Sequence, residues 1–231
     1  FREVDPLELT AEEIGTLAEA ARLDWSQVEP AIFGTLFERS LDPAQRSQLG
    51  AHYTGRADIE RVVEPVVMAP LRRRWEAVRA ELEGLVARRD AAKSASARTQ
   101  AQNRIREALL AFTDELREVT ILDPACGSGN FLYVALNALL DLEKEANLWG
   151  ATEGGLPMGL PGVGPGQVRG LELSPYAQEL AQAVIWIGYL QWLRRNGFGW
   201  REPVLEDLHT IRLQDALLEE RGGKVSRTVW P

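Results

Sequence analysis

The chain has 231 residues, 45% of them hydrophobic and 26% charged, and its formal net charge is −8 at pH 7. This length suits one α/β domain with an accessory region, and the negative charge argues against a surface that binds nucleic acid over its whole extent. The single cysteine excludes an internal disulfide and a multi-cysteine metal site, which is typical of a cytoplasmic protein. No segment is apolar for long enough to cross a bilayer, so we expect no membrane partner.

The N-terminal part of the sequence is predicted to be helical. Thr10 and Glu13 have the spacing of a capping box, which opens a short amphipathic helix. A second helix is expected over residues 28–41, and the apolar spacing of both helices predicts core packing. Thr54 is then expected to cap a third helix over residues 57–68.

Residues 71–118 are predicted to form an antiparallel helical hairpin with its tip near residues 90–100. Apolar residues recur at steps of three and four on both sides of a small, polar segment. The basic residues of the hairpin alternate with acids, so a solvated face is favoured over a surface for DNA phosphates. They are Arg72, Arg73, Arg74, Arg88, Arg89, Lys93, Arg98, Arg104 and Arg106.

A strand, a glycine turn and a helix are predicted over residues 119–142. Four strand-like residues, 119–122, lead into Asp123, and an apolar segment with helical spacing follows Gly127 and Gly129. In this geometry backbone N–H groups and a helix N-terminus converge on a small polar ligand. The third glycine of the dinucleotide fingerprint is absent. The pattern alone is therefore consistent with a cofactor loop or with a plain strand-to-helix turn.

Two further predicted strands also end in an acid. A loop rich in glycine and proline is expected over residues 150–167, followed by a strand that ends near Glu172 and an apolar helix over residues 177–193. A third strand begins at Ile211 and reaches Asp215. The carboxyl ends of parallel strands line the ligand crevice of an open sheet, so we expect the three acids to line one crevice.

These segments resemble a known family. Residues 123–131, Asp-Pro-Ala-Cys-Gly-Ser-Gly-Asn-Phe, resemble the cofactor motif of the amino-methylating DNA methyltransferases that use S-adenosylmethionine. The run 52–54 is similar to the upstream motif of that family, and the runs 170–173 and 214–217 are similar to its next two cofactor motifs. Together with Ile-Phe-Gly-Thr-Leu-Phe-Glu at 32–38, they favour the MmeI-like, restriction-modification type.

The resemblance implies a Rossmann-like α/β fold with a partial, mostly parallel sheet, preceded by a helical region with a long helical hairpin. It divides the chain into an N-terminal helical region (1–70), the hairpin (71–118) and the first part of an S-adenosylmethionine-binding domain (119–231). The chain begins at Phe1 without a methionine and stops at Pro231, so we expect a piece of a longer protein.

The resemblance also implies a cofactor-binding set in which three acids make the polar contacts. Asp123 would hold the loop and the methionine amino group, Glu172 would accept hydrogen bonds from the ribose hydroxyls, and Asp215 would accept from the adenine amino group. The other implied residues are Tyr53 and Thr54 at the methionine end, Ala125, Gly127 and Asn130 beside the methionine and ribose, Leu173 and Ala216 beside the adenine, and Pro124, Cys126 and Phe131 within the motif. A sulfonium and an ammonium group suit such a carboxylate-lined crevice, whereas ATP phosphates would favour a lysine after the turn, and none is present.

One element of the family is missing. No Asn/Asp-Pro-Pro-aromatic tetrapeptide, which in that family holds the extruded base, occurs in these 231 residues. We therefore expect these residues to bind the cofactor without methylating, in a parent enzyme that modifies adenine N6 rather than cytosine N4 and contacts double-stranded DNA mostly through other regions. An RNA or protein-glutamine methyltransferase, and a non-catalytic module for another adenosine ligand, remain alternatives.

Overall fold

The computed structural model describes residues 8–23, 28–34, 54–198, 208–221 and 224–230. Its helices are α1 (Ala11–Arg22), α2 (Arg56–Val63), α3 (Ala69–Ala91), α4 (Ala95–Glu118), α5 (Asn130–Thr152) and α6 (Pro175–Arg195). Its strands are β1 (Ile121–Asp123), β2 (Val168–Glu172), β3 (Ile211–Leu213), β4 (Leu218–Arg221) and β5 (Lys224–Arg227). None of the described helices has the length and apolar character needed to cross a membrane.

Strands β1, β2 and β3 form a parallel sheet in that order, with α5 and α6 as the two crossover helices. The pairing places Asp123 opposite Gly170 and Glu172 opposite Leu213. The predicted partial Rossmann-like sheet is therefore confirmed. Strands β4 and β5 pair in an antiparallel hairpin that the sequence analysis did not predict.

The helical hairpin is confirmed, with α3 and α4 meeting between Ala91 and Ala95. Apolar rows on the two helices pack together, and the rings of Trp75 and Phe112 stack with their centroids 5.0 Å apart. The indole of Trp75 also donates to Glu145 of α5 at 2.8 Å, which ties the hairpin to the crossover helix. Several hairpin arginines form ion pairs at the exposed surface: Arg72 with Glu64, Arg74 with Glu115 and Arg79 with Glu83. Arg89 departs from the predicted solvated face, because its side chain is only 19% exposed and it donates to the carbonyl of Gly154 as well as pairing with Asp90.

Helix α2 continues into α3 through a π-helical turn, Glu64–Met68. Pro65 lies in this turn, and because proline has no N–H it interrupts the regular ladder of helical hydrogen bonds. The predicted N-cap at Thr54 is wrong. Gly55 occupies the cap position with an extended backbone, and no side chain caps the helix. The helical run crosses residue 70, and the predicted domain boundaries remain predictions.

Helix α1 begins with the predicted capping box, in which Thr10 and Glu13 bond each other's backbone N–H groups. The predicted core packing of this helix is wrong for the part of the chain that the structure describes, because none of its residues is buried. Ile14 and Leu17 are more than half exposed. Of the predicted second helix, residues 35–41 lie outside the described residues.

The glycine- and proline-rich loop is attached to the hairpin at several points. Its backbone N–H groups at Gly162 and Val163 donate to the buried carboxylate of Glu143 at 2.9–3.0 Å, and Arg117 of α4 donates to the same carboxylate at 3.2 Å. The side-chain amide of Gln167 donates to two carbonyl groups near the end of α4. The loop is shorter than predicted, since α5 extends to Thr152 and residues 165–167 form a 3-10 turn.

Candidate functional site

The predicted acids lie at the carboxyl edge of the parallel sheet. Asp123 is the last residue of β1 and Glu172 is the last residue of β2. Asp215 follows β3 by two residues, and the backbone N–H of Gln214 donates to the carbonyl of Glu172 at 2.9 Å. Strand register therefore positions all three carboxyl groups along one edge, where ligands of open α/β sheets bind.

The glycine turn after β1 is fixed by hydrogen bonds within it and to β2. Asp123 Oδ1 accepts from the N–H of Ala125 at 3.0 Å, and the N–H of Cys126 donates to the carbonyl of Leu171 at 3.0 Å. Gly127 and Gly129 have φ values of +53° and +79°, a region that residues with a side chain rarely occupy. The turn therefore requires glycine at both positions, and it leads directly into α5.

The two glycines face different surroundings. A Cβ on Gly129 would lie 3.0 Å from the Cβ of Ala181, so this residue packs tightly against α6. A Cβ on Gly127 would meet no atom within 4 Å. The side of the turn at Gly127 is consequently open, and a ligand can approach the main chain there.

Glu172 joins the turn to the end of β2. Its Oε2 accepts from the N–H of Gly127 at 2.9 Å, and its Oε1 accepts from the N–H groups of Leu173 and Ser174 at 2.9 and 2.8 Å. A carboxylate can accept about four hydrogen bonds, so Oε2 retains one position that no group in the described residues occupies. The sequence analysis did not predict the contact with Gly127, because nothing in the local sequence signals it.

The site has an excess of negative charge. Burial, followed by the nearby charge of Glu172, raises the pKa of the Asp123 carboxyl, although its hydrogen bond from Ala125 acts in the opposite direction. Burial also raises the pKa of the Cys126 thiol, and both carboxylates add to this effect. A cationic ligand near Asp123 and Glu172 would relieve this repulsion, whereas an anion would increase it.

An apolar crevice of about 270 Å³ begins at Asp123. It runs between the β1 side of the turn and the face of α2 and the π-helical turn, and its lining includes Phe131 and four valines that the sequence analysis treated only as part of a structural helix: Val62, Val63, Val66 and Val67. A larger groove of about 800 Å³ lies between α3 and α4, but it contains neither a strand end nor the glycine turn. The crevice is therefore the cavity relevant to the site.

The remaining predicted residues take different positions. Asn130 is buried at the start of α5, and its Oδ1 has no hydrogen-bond partner among the described residues. Pro124, Ala125 and Leu173 are exposed, and Cys126 is buried. Thr54 is half-buried, directly before the cap of α2, and Tyr53 lies outside the described residues.

Asp215 is engaged locally by the chain that follows β3. Its Oδ1 accepts from the N–H groups of Leu217 and Leu218 at 2.7 and 3.1 Å, and these bonds lower the pKa of its carboxyl. The carbonyl of Ala216 accepts from the indole of Trp230. Asp215 is thus held in a turn, as Asp123 is, by the N–H groups of residues that follow it.

The chain matches known methyltransferases in sequence and in structure. Residues 96–199 match the family model described as MmeI, DNA-methyltransferase domain. The chain is 26% identical over 182 residues to DNA methyltransferase A of Bacillus subtilis, covering 78% of this chain and 18% of that protein. It also superposes with a TM-score of 0.65, at 29% identity, on the type IIL restriction-modification enzyme MmeI solved in complex with DNA.

The structural match covers 85% of this chain and 24% of MmeI, so the chain spans about a quarter or less of the length of each of these relatives. The residues that match the family model, 96–199, include all but the first residue of α4, the parallel strands β1 and β2, the glycine turn and both crossover helices. The sequence motifs, the fold and the comparisons all point to similarity with DNA methyltransferases. Residues 96–199 are therefore similar in sequence and in fold to the DNA-methyltransferase domain of MmeI.

Proposed function

We propose that this chain is the S-adenosylmethionine-binding portion of a restriction-modification DNA methyltransferase. The observation that carries the proposal is the placement of two carboxylates, Asp123 and Glu172, on either side of a turn whose Gly127 is open to a ligand. The run 123–132 contains no lysine or arginine, so the turn offers no cationic side chain to a phosphate chain. Its chemistry suits a ligand with an ammonium and a sulfonium group.

The residues present fit such a ligand. Asp123 has an Oδ2 with no hydrogen bond among the described residues, and it would accept from the ligand ammonium. The free position on Glu172 Oε2 would accept from one ribose hydroxyl. Asn130 contributes a buried Oδ1 without a partner, and such a group is costly to leave unpaired. The remaining members of the binding set proposed from the resemblance are Tyr53, Thr54, Pro124, Ala125, Cys126, Gly127, Phe131, Leu173, Asp215 and Ala216.

In the parent enzyme, S-adenosylmethionine would supply the methyl group for transfer to an exocyclic amine of DNA, at adenine N6 rather than cytosine N4. The matched relatives are described as DNA methyltransferase A and as a restriction-modification enzyme in complex with DNA, which supports the substrate class. These 231 residues contain no Asn/Asp-Pro-Pro-aromatic run. We therefore expect them to bind the cofactor without methylating, and to leave most DNA contacts to other regions of the parent.

Cofactor binding is tested by calorimetry and by thermal unfolding. Saturation at 100 times the dissociation constant stabilises a protein by about 2.7 kcal/mol, which corresponds to a rise in Tm of about 5–10 °C for a chain of this length. We expect this shift with S-adenosylmethionine and S-adenosylhomocysteine and no shift with ATP or NAD. The opposite pattern would refute the proposal and favour another adenosine ligand.

A second arm tests the role of Glu172. Glu172→Ala should weaken S-adenosylhomocysteine binding about 10- to 150-fold, because a hydrogen bond to a charged group contributes about 1.5–3 kcal/mol. Glu107→Ala, on the exposed surface of α4, is the matched control and should leave the affinity unchanged. Unchanged affinity in Glu172→Ala would show that this carboxylate makes no contact with the ligand. Incubation of the 231-residue protein with DNA and radiolabelled cofactor should give no labelled base.

A further inference from the structure

A short N-terminal segment, residues 28–34, lies against the glycine turn and is called the strap here. Gln191 of α6 donates to the carbonyl of Val28 at 2.8 Å, and Glu29 lies 3.7 Å from Arg56 of α2. Tyr133 on α5 lies near Glu29, and burial together with the charge of Glu29 raises the pKa of its phenol. Three helices therefore hold the first two residues of the strap.

The strap ends in a close contact with the turn. Gly34 is buried, and a Cβ built on it would collide with Ser128 Oγ. The same Cβ would lie 3.1 Å from Ser128 Cβ and 3.3 Å from Asn130 Nδ2, both closer than ordinary van der Waals contact. Rotation of the Ser128 side chain can remove the collision with Oγ, but the contacts with Ser128 Cβ and Asn130 Nδ2 stay tight, so glycine at position 34 gives the closest approach of the strap to the turn.

The turn is thus confined on two sides. Gly129 packs against Ala181 of α6, Ser128 packs against Gly34 of the strap, and Gly127 has open space beside its Cα. A side chain at position 34 would push Ser128 and Asn130 away from the strap, and Ala181 blocks the retreat of Gly129. The displacement would have to be absorbed near Gly127, whose N–H is bonded to Glu172 at 2.9 Å.

We propose that Gly34 is a positioning residue, whose bare Cα sets the place of the glycine turn and thereby the affinity for the cofactor. The inference deepens the proposed function and rests on it for its ligand. It gives the Ile-Phe-Gly segment, which lies in front of the site, a role in cofactor binding in addition to packing. The strap acts on the turn by contact, without touching the ligand.

The test compares Gly34→Ala, Ser128→Ala and the double variant with the wild type. S-adenosylhomocysteine affinity, measured by calorimetry at a temperature where every variant is folded, should fall at least about 10-fold in Gly34→Ala, which is the loss expected when one hydrogen bond to the ligand is broken. Removing Ser128 Oγ relieves the collision, so the double variant should recover most of the affinity of Ser128→Ala. Gly84→Ala is the matched control, because a Cβ there meets no atom within 4 Å.

A second measurement needs no cofactor. Cys126 is the single cysteine of the chain, is buried, and lies two residues before Ser128. If the added methyl group moves the turn, the thiol of Cys126 should react faster with a disulfide reagent in Gly34→Ala than in the wild type, and the double variant should reverse the change. This arm tests the position of the turn even if the wild type binds no S-adenosylhomocysteine, an outcome that would refute the proposed function alone.

Three results would overturn the inference. Gly34→Ala could keep both the affinity and the thiol reactivity of the wild type, which would show that the contact does not position the turn. The double variant could be as impaired as the single variant, which would place the cause elsewhere. Gly34→Ala could fail to fold by circular dichroism, which would show that the contact serves folding instead.

Discussion

Replacing Asp123 with asparagine separates the stability of the free protein from its affinity for a cationic ligand. Burial and Glu172 raise the pKa of Asp123 above its ordinary value of 3.8, so the native protein binds this proton more tightly than the unfolded chain does. Stability contributed by this group is therefore lost as the pH rises from that ordinary value through the raised native value. At pH 7 the ionised carboxylate is unfavourable in the free protein. Asparagine keeps an oxygen for the N–H of Ala125, so the Tm of Asp123→Asn should equal or exceed that of the wild type.

The same change should weaken cofactor binding. A hydrogen bond between two charged groups contributes about 1.5–3 kcal/mol, which is a loss of about 10- to 150-fold in affinity. Because the proposed partner is the ammonium group, S-adenosylmethionine and S-adenosylhomocysteine should lose affinity by the same factor. The affinity of the wild type should also decrease as the pH is lowered through the raised pKa of Asp123, since the protonated carboxyl no longer attracts a cation.

Calorimetric titration and thermal unfolding at pH 7 measure the two effects on the same samples. Asp90→Asn is the control, because Asp90 is exposed at the tip of the hairpin. This substitution should change the affinity by no more than about twofold and should leave the Tm unchanged. An Asp123→Asn protein that binds as tightly as the wild type would refute the ammonium contact. A fall in its Tm of more than about 4 °C would refute the electrostatic argument, because it would mean that the charge stabilises the free protein.

Three other changes test neighbouring features of the fold and the site. Glu143→Ala leaves Arg117 Nε and two loop N–H groups without their acceptor, although Arg117 keeps its ion pair with Asp114. Thermal unfolding should therefore show a loss of about 2–5 kcal/mol, or about 4–20 °C in Tm, whereas Glu118→Ala should change little. The Cys126 thiol should react with a disulfide reagent at pH 8 far more slowly in the native state than in urea, because burial raises its pKa and restricts the access of the reagent. Equal reaction rates in the two states would contradict the burial of the thiol. Glu172 Oε2 has one free position, so it can accept from only one ribose hydroxyl. The 2′-deoxy and 3′-deoxy analogues of S-adenosylhomocysteine should therefore differ in affinity, one binding about 10-fold or more weakly than the parent compound and the other about equally well. Equal losses of affinity in calorimetry would show that both hydroxyls contact the protein alike.

Local sequence patterns predicted the elements that carry the site. The strand, the glycine turn and the helix at 119–142 are confirmed, although β1 is shifted to Ile121–Asp123 because Val119 terminates α4. The hairpin tip was predicted from composition alone, since a small, polar segment separates two runs of helical period. The strand pair β4–β5 was missed although Gly222 and Gly223 stand between the two strands in the sequence, a recognised hairpin signal.

The features that the sequence could not predict depend on distant partners. Thr54 and Gly55 are both acceptable caps, and the geometry of the chain that enters α2 selects Gly55. The apolar spacing of α1 predicts a buried face. A face is buried only where another element packs against it, and the spacing does not show whether such an element is present. Glu143 looks like an ordinary helical acid in the sequence, and only the folded loop makes it a buried acceptor for backbone N–H groups.

The same distinction between local and distant determinants applies to the site. Its chemistry is local, because a turn with two left-handed glycines and an acid on each flanking strand can be read from short runs of sequence. Its geometry is not local, because Gly127 is held by Glu172 from the next strand and Ser128 is bounded by Gly34 from the strap. A turn fixed from both directions is formed before the ligand arrives, so little ordering opposes binding. Affinity should therefore respond to residues outside the proposed ligand contacts, and the binding set that the resemblance implies omits Gly34 and Ser128.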